Sequence, residues 1–162
     1  MSVELCATRF NMETWQENCD YRRENKLNGC IYGAPKIISP LIPYQSYVIV
    51  LEMLNLSPGG RIMGIGFIHN MHFDKRIKIY NQGNYNRYIY KSKYRIDREG
   101  LEENVEKVFQ FLDKICFYGA DHIKRGQGIL KVPYKKIKEF RVENMNLISY
   151  LFSLFKSKFD IT

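Results

Sequence analysis

Two apolar segments decide the fold of this chain: YVIVLEM (47–53) and RIMGIGFIH (61–69). The first is β-branched and apolar on both faces, which is typical of a strand buried in the middle of a sheet. The turn sequence SPGG (57–60) lies between the two segments, so together they predict a β-hairpin. Gly64 and Gly66 share one face of the second strand, where they leave room for a packed helix, a bulge or a ligand.

Weaker patterns on both sides of the hairpin predict an α+β fold. Short strands are expected at 3–10, 76–80, 86–91 and 93–96, and a strand or turn at 121–132. Helices are expected at 14–26 with Thr14 as its cap, at 99–117, at 133–140 and at 144–158. Residues 28–44 are rich in Gly and Pro and predict an irregular loop. The length of 162 residues suits one domain, 1–162.

The chain carries a net charge of +8, which suits a polyanionic partner. Nucleic acid is the first candidate, an acidic membrane surface the second and an acidic protein the third. A charge that serves only solubility stays open, because Lys, Asn, Ile, Tyr and Phe all have AT-rich codons and are abundant here. An AT-rich genome would enrich Lys without any selection for binding.

Cysteine usage and hydropathy exclude several classes of protein. The four cysteines form no CxxC pair and have no His at zinc-ligand spacing, so we expect no metal site and free thiols. No signal-peptide core and no apolar run of transmembrane length is present. We therefore expect an intracellular protein without a membrane span and without a cofactor.

Residues 72–98 combine cations with aromatic rings. This segment contains eight Lys and Arg residues but only two Asp residues, and five tyrosines are interleaved with them. Cations neutralise phosphates and Tyr rings stack on unpaired bases, so Arg87, Tyr88, Tyr90 and Lys91 are candidate nucleic-acid ligands. The alternative for the tyrosines is packing across the strands of a sheet.

The segment HIKRGQGI (122–129) places an imidazole, two cations, an amide and two glycines within eight residues. Lys124 and Arg125 suit a phosphate, Arg and Gln127 suit a base edge, and the glycines allow a ligand close to the backbone. These residues and His122 are therefore candidate ligands. The alternative is a basic turn whose cations lie in solvent.

Glu52 lies within the most apolar strand, and a buried carboxylate needs a partner. Arg61, His122 or Lys124 would supply one if the hairpin and the basic segment meet. The alternative is a Glu52 that faces solvent near the strand end. The sequence does not indicate a nucleophilic enzyme, a nucleotide-binding enzyme or a metal-dependent nuclease, because no nucleophile elbow, P-loop or dinucleotide fingerprint is present and the acids are not clustered. The sequence favours a protein that is not an enzyme, with an enzyme acting on nucleic acid as an open alternative.

The C-terminal segment 144–158 is strongly apolar but too short to span a bilayer. Docking on the core is the first interpretation. A homodimer surface and a helix lying in a membrane interface are the alternatives.

The order of these elements resembles that of PUA-like domains, the superfamily that includes the EVE, YTH and ASCH families. TRFNMETW (8–15) resembles the strand-to-helix opening of an EVE domain, and the hairpin VIVLE (48–52) to RIMGIGFI (61–68) resembles the central barrel strands. KRGQGI (124–129) resembles a closing strand, so the resemblance covers roughly residues 3–132. The chain is also similar to uncharacterised proteins of large DNA viruses of eukaryotes, through its VLEM, GIGFI and KRGQGI blocks.

The resemblance implies a β-barrel of mostly antiparallel strands with flanking helices that binds RNA or DNA, often around a modified or flipped base. With a single Trp in the chain, an aromatic cage would combine Trp15 with tyrosines such as Tyr32, Tyr88 or Tyr90. A viral origin implies the cytoplasm or nucleus of the host cell.

Taken together, these features predict a protein that binds RNA or DNA, most naturally as a single strand. Trp15, Glu52, Tyr88 and residues 122–127 are expected to line one concave site. The alternative is a protein-interaction or host-modulating factor that uses the apolar C-terminal helix as its contact surface, without nucleic-acid binding.

Overall fold

The computed structural model describes residues 2–161, and this part of the chain forms seven strands and three α-helices. The strands are β1 (Val3–Phe10), β2 (Cys30–Ala34), β3 (Tyr47–Asn55), β4 (Gly60–His69), β5 (Tyr88–Ser92), β6 (Arg95–Asp97) and β7 (Leu130–Lys131). The helices are α1 (Met12–Glu24), α2 (Glu103–Phe117) and α3 (Leu147–Lys158). Short 3-10 turns occupy Gly83–Asn86 and Tyr134–Lys136.

The predicted hairpin is confirmed and forms the centre of a mixed sheet. β3 pairs antiparallel with β4 from Tyr47 opposite His69, with an irregularity between Glu52 and Met53. β1 lies parallel to β3 on its other side, so β3 is flanked by strands on both edges. The strand order is β6-β4-β3-β1-β7.

The predicted PUA-like β-barrel is wrong: within residues 2–161 the five-stranded sheet stays open, and β2 and β5 form a separate two-stranded sheet. Closure requires the two edge strands of a sheet to pair with each other. Here the edges are β6, with three residues, and β7, with two residues. β2 and β5 pair with each other instead of bridging those edges.

Both faces of the sheet are covered, which explains why β3 is apolar on both sides. Ile49, Leu51 and Met53 belong to a core that includes α2 and α3. Val48, Val50 and Leu54 belong to a second core with β2 and β5, against which Trp15 of α1 packs. The molecule therefore has three layers, with the sheet in the middle.

The two C-terminal helices pack against the sheet to form the first core. α2 begins four residues later than predicted, after Gly100, whose φ of +80° is unfavourable in a right-handed helix. Phe109 and Leu112 are fully buried, and Leu151 and Phe155 of α3 belong to the same core. α3 thus docks on the core of its own chain, which is the first of the three interpretations.

Several local predictions are corrected by side-chain interactions that sequence patterns do not show. α1 is capped by Asn11 and not by Thr14, which lies in the first turn and accepts a hydrogen bond from the Asn11 backbone. Residues 28–44 contain β2. Residues 76–80 form no strand, because the Asn86 side chain takes the backbone groups of Ile79 and Tyr80 that a sheet would pair. Only Leu130–Lys131 of 121–132 is a strand, and only Tyr134–Lys136 of 133–140 is helical.

Candidate nucleic-acid interface

An open cleft of about 860 Å³ lies between α1 and the β4–β6 edge of the central sheet, and we call it the Trp15 cleft. Six cationic side chains and two acidic ones line it. The cations are Arg22, Arg23, Lys26, Arg61, Arg95 and Arg98, and the acids are Asp97 and Glu99. The cleft is therefore an electropositive groove with one indole ring in its wall.

Trp15 is half-buried and contacts Phe10, Arg22 and Arg95. Phe10 packs edge-on against it at 5.1 Å between ring centroids. The guanidinium carbons of Arg22 and Arg95 lie 5.5 and 6.0 Å from the centre of the Trp15 ring, where a cation is attracted to the π-system. Asn18 accepts a hydrogen bond from Arg22 Nε at 2.9 Å and keeps that guanidinium in place.

A buried ion pair lies directly behind the cleft. Arg95 donates to both carboxylate oxygens of Glu52, at 2.6 Å to Oε1 and 3.0 Å to Oε2, and Tyr32 donates to Oε2 at 2.7 Å. Glu52 is only 1% exposed, so it does not face solvent, and its partners are not Arg61, His122 or Lys124 as predicted. The reason is the strand order: β4 lies between β3 and β6, Glu52 pairs with Gly64 and Arg95 with Gly66, so the two side chains meet over the glycines of β4.

Gly64 and Gly66 of β4 leave the space that this cluster needs. A Cβ atom on Gly64 would lie 2.8 Å from Arg95 Nη2 and 2.9 Å from Glu52 Oε1, and one on Gly66 would overlap the Tyr32 hydroxyl. The predicted free space is thus filled by polar side chains of the protein. Burial raises the pKa of Tyr32 well above its ordinary value, so the phenol stays protonated and donates.

The charge of the pair is set by its surroundings. Burial alone would lower the pKa of Arg95, but the charge and hydrogen bonds of Glu52 raise the pKa of Arg95 above its ordinary value. Arg95 therefore stays cationic, and its guanidinium is held in one orientation near the Trp15 ring. Glu52 acts on the cleft through Arg95 and does not line it.

The remaining cations differ in how far the protein already satisfies them. Arg98 is buried and forms ion pairs with Glu106 and Asp113 at 2.8 Å each. Arg23 pairs with Asp20 at the surface. Within residues 2–161, no carboxylate lies within ion-pair distance of Arg22, Lys26 or Arg61, so these three charges are free to meet a ligand.

A second, narrower cavity of about 190 Å³ lies at the end of β1, and we call it the Asn55 pocket. Lys124 and Gln127 of the predicted basic segment line it, together with Arg9. Lys124 Nζ donates to the Leu56 carbonyl at 2.7 Å, so part of its hydrogen-bonding capacity is used within the protein.

The predicted site residues do not meet in one concavity. Trp15 lines the cleft, whereas Lys124 and Gln127 line the Asn55 pocket. His122 accepts a hydrogen bond from the Lys124 backbone, and Arg125 is exposed. The one-site prediction fails because residues 122–127 run beside Arg9 of β1 and Asn55 of β3, whereas the cleft lies beside β4 and β6 on the other side of the sheet order.

The candidate ligands from β5 and the residue before it line neither the Trp15 cleft nor the Asn55 pocket. Tyr90 is buried and its hydroxyl accepts a hydrogen bond from the Ile38 backbone, so it is part of the core. Tyr88 packs edge-on against His72 and contacts Arg87. Lys91 lies 4.1 Å above the Phe73 ring. Tyr32 and Tyr90 are too buried to form a cage with Trp15, and the β5 tyrosines follow the sheet-packing alternative.

None of the family models, curated proteins and solved structures compared with this chain matches it. The site must therefore be interpreted from its own chemistry.

The sequence interpretation missed Arg22, Arg23, Lys26 and Arg61. The sequence analysis predicts a helix at 14–26 but assigns no ligand to its cations, although Trp15, Cys19 and Arg22 recur at intervals of four and three residues. That spacing puts one ring and one cation on the same helix face. This spacing is the sequence signal for the cleft. It indicates a binding site only when the position of β6 opposite α1 is also known.

Three of the four cysteine thiols are buried. Burial raises the pKa of the Cys6, Cys30 and Cys116 thiols to about 12, so these groups stay protonated at neutral pH. Residues 2–161 contain no group of three or more His, Cys, Asp or Glu side chains arranged to hold a metal ion. Among the same residues, no helix has both the length and the apolar character needed to cross a bilayer.

Proposed function

We propose that the protein binds single-stranded RNA or DNA in the Trp15 cleft. The observation that carries this proposal is a half-buried indole in the wall of a groove where Arg22, Lys26 and Arg61 have no carboxylate partner among the described residues. An aromatic face stacks on an unpaired base, and cations beside it neutralise the adjacent phosphates. A duplex offers its bases only by their edges, so the ring favours a single strand.

The buried pair behind the cleft supports the same function by preorganisation. Glu52 and Tyr32 hold the Arg95 guanidinium under the ring, where it limits the freedom of Trp15 before any ligand arrives. A ring that is already positioned loses little conformational entropy on stacking. In this proposal Glu52 is a positioning residue and has no contact with the nucleic acid.

The test uses Trp15 fluorescence, since it is the only Trp of the chain. A single-stranded oligonucleotide should quench it with an affinity that falls steeply with salt, and a duplex of the same sequence should not. The double variant Arg22→Gln, Arg61→Gln should reduce the slope of log K against log salt by about 1.4, at roughly 0.7 per lost phosphate contact. The double variant Lys36→Gln, Lys135→Gln removes the same charge from outside both cavities and is the matched control.

Two outcomes would overturn the proposal. One is the absence of quenching and of binding at low salt, which would leave the protein-interaction factor as the better candidate. The other is an equal loss of affinity in the two double variants, which would show that only the net charge and not the cleft attracts the strand.

A further inference from the structure

Asn55 presents a buried hydrogen-bond acceptor that the protein does not satisfy. Its Nδ2 donates to the Lys124 carbonyl at 2.9 Å, and a carbonyl only accepts, so this contact fixes the orientation of the amide. Oδ1 then points the other way. It is buried, and no donor from residues 2–161 reaches it. Such an acceptor costs free energy unless a donor from outside the chain meets it.

The cavity around this amide has the size of one small ring. Its volume of about 190 Å³ corresponds to roughly six water molecules at about 30 Å³ each. Gly126 and Gly128, with φ of +135° and +81°, form one wall and bring the loop backbone close to the cavity. Phe10 and Tyr85 supply aromatic surface. Among residues 2–161, no Asp or Glu side chain lines the pocket.

Arg9 adds unsatisfied donors to the same pocket. Its Nε donates to the Ile123 carbonyl at 2.8 Å and its Nη1 to the Ala7 carbonyl at 3.2 Å. These bonds use two of the five N–H groups of a guanidinium. Within residues 2–161 no carboxylate forms an ion pair with Arg9, although the side chain is half-buried. Charges that are shielded from water normally have a partner, so we expect a ligand in this pocket to present a hydrogen-bond acceptor to Arg9.

We propose that the Asn55 pocket binds the edge of a single-ring lactam of the uracil type. The ring N–H would donate to Asn55 Oδ1 once the side chains that cover this oxygen shift aside, and a flanking carbonyl oxygen would accept from Arg9, with Gln127 at the exposed rim. This edge carries a donor beside an acceptor and is uncharged. A phosphate would satisfy Arg9 but would bring negative charge against the Asn55 oxygen.

The identification of this lactam as a base of the bound strand rests on the proposed function. Phe10 lines the pocket and also packs against Trp15, so one aromatic pair separates the pocket from the cleft. A strand whose backbone follows the cleft cations has a short path to the pocket. The pocket's ligand chemistry itself does not depend on that path, and a free nucleoside tests it directly.

The experiment is calorimetry on the full chain with three probes: uridine, 3-methyluridine and inorganic phosphate. Uridine should bind saturably. 3-Methyluridine has the same ring without the N–H donor and should bind at least tenfold more weakly, because it leaves Asn55 Oδ1 unpaired. Phosphate should not bind. The pocket proposal is overturned by equal binding of uridine and 3-methyluridine, by phosphate binding as tightly as uridine, or by no uridine binding at millimolar concentration.

Variants connect the binding to the amide. Asn55→Leu should abolish uridine binding, and Asn104→Leu, on the exposed face of α2, should leave it unchanged. Because Asn55→Leu also releases the Lys124 carbonyl, Gln127→Ala serves as a second variant at an exposed rim position and should weaken uridine binding severalfold. Wild-type affinity in a folded Asn55→Leu protein, or in Gln127→Ala if Asn55→Leu does not fold, would overturn the proposal.

The two proposals fail in different ways. Oligonucleotide quenching of Trp15 without uridine binding would remove the pocket and leave the cleft. Uridine binding without salt-sensitive oligonucleotide binding would remove the strand and leave a nucleoside pocket.

Discussion

The two faces of the five-stranded sheet are built on different principles. The face toward α2 and α3 is an apolar core that buries Phe109, Leu112, Leu151 and Phe155. The opposite face, toward α1 and the β2–β5 sheet, buries Glu52 and Arg95 among apolar residues, and the Trp15 cleft and the Asn55 pocket open beside it. The comparison shows that the face toward α2 and α3 contributes mainly to stability, whereas the face toward α1 also holds polar side chains in fixed orientations.

The sharpest test of the apolar face is Phe109→Ala. Phe109 is fully buried on α2, so the substitution removes a ring and leaves a cavity, with an expected loss of about 3–5 kcal/mol in the free energy of unfolding. Thermal and denaturant melts measure the loss. Gln110→Ala, one position away and exposed, should stay within about 0.5 kcal/mol of wild type. An unshifted melt in Phe109→Ala would mean that α2 does not carry the core.

The corresponding test of the polar face is Glu52→Gln. It removes the carboxylate that Arg95 contacts at 2.6 Å and leaves only the exposed Asp97 carboxylate at 3.6 Å, which costs about 3 kcal/mol, near the lower end of values for broken buried pairs because the amide still accepts one hydrogen bond. The emission spectrum of Trp15 should also change, since Arg95 lies near the ring. Glu103→Gln, at an exposed position of α2, is the matched control. A stable Glu52→Gln protein with an unchanged spectrum would remove the distinction between the faces.

Arg22→Gln separates function from stability on the polar face. Arg22 contacts Trp15 but forms no ion pair among the described residues, so the free energy of unfolding should change by less than about 1 kcal/mol. Oligonucleotide affinity at low salt should fall by about tenfold, equivalent to about 1.4 kcal/mol. Parallel melts and fluorescence titrations measure both quantities. Loss of stability without loss of affinity would reassign Arg22 to the fold.

The smallest effect concerns pH at the edge of the apolar face. The hydrogen bond from Arg98 lowers the pKa of Glu106 below its ordinary value. A carboxyl group with a lowered pKa stabilises the fold above its unfolded-state pKa, and this contribution disappears as the pH falls through the lower, folded-state pKa. Glu106 is partly solvent-exposed, so we expect only a few tenths of a kcal/mol. Melts of wild type and Glu106→Gln between pH 6 and pH 3 measure it, and Glu106→Gln should show the weaker pH dependence.

Local patterns predicted the elements whose residues depend mainly on their own neighbours. The hairpin of β3 and β4 follows from β-branched runs around SPGG, and α2 and α3 follow from apolar residues at helical spacing. β2 was missed because its residues lie among Gly and Pro and form a strand only through pairing with β5. The cap of α1 was displaced by three residues because Asn11 and Thr14 are both suitable capping residues.

The candidate site was predicted only in part. Trp15 and Glu52 lie at the cleft or directly behind it, but their role in nucleic-acid binding stays a prediction. Tyr90 is of a residue type that can bind a base, but it lies in the core, where its hydroxyl accepts a hydrogen bond from the Ile38 backbone. Lys124 and Gln127 line a different cavity from Trp15. Residue type alone does not distinguish a ring that packs from a ring that is available.

The sequence by itself determined the hairpin, the helices, the charge and the presence of a carboxylate in the most apolar strand, because each is a property of a short segment or of composition. Only the tertiary structure decided which groups meet. Glu52 and Arg95 are 43 positions apart, and Asn55 and Lys124 are 69 positions apart. Such contacts depend on strand order and register over the whole sheet. Strand pairing over the whole sheet also explains why the sheet stays open. β2 and β5 satisfy their backbone hydrogen bonds by pairing with each other, so neither strand closes the five-stranded sheet into a barrel.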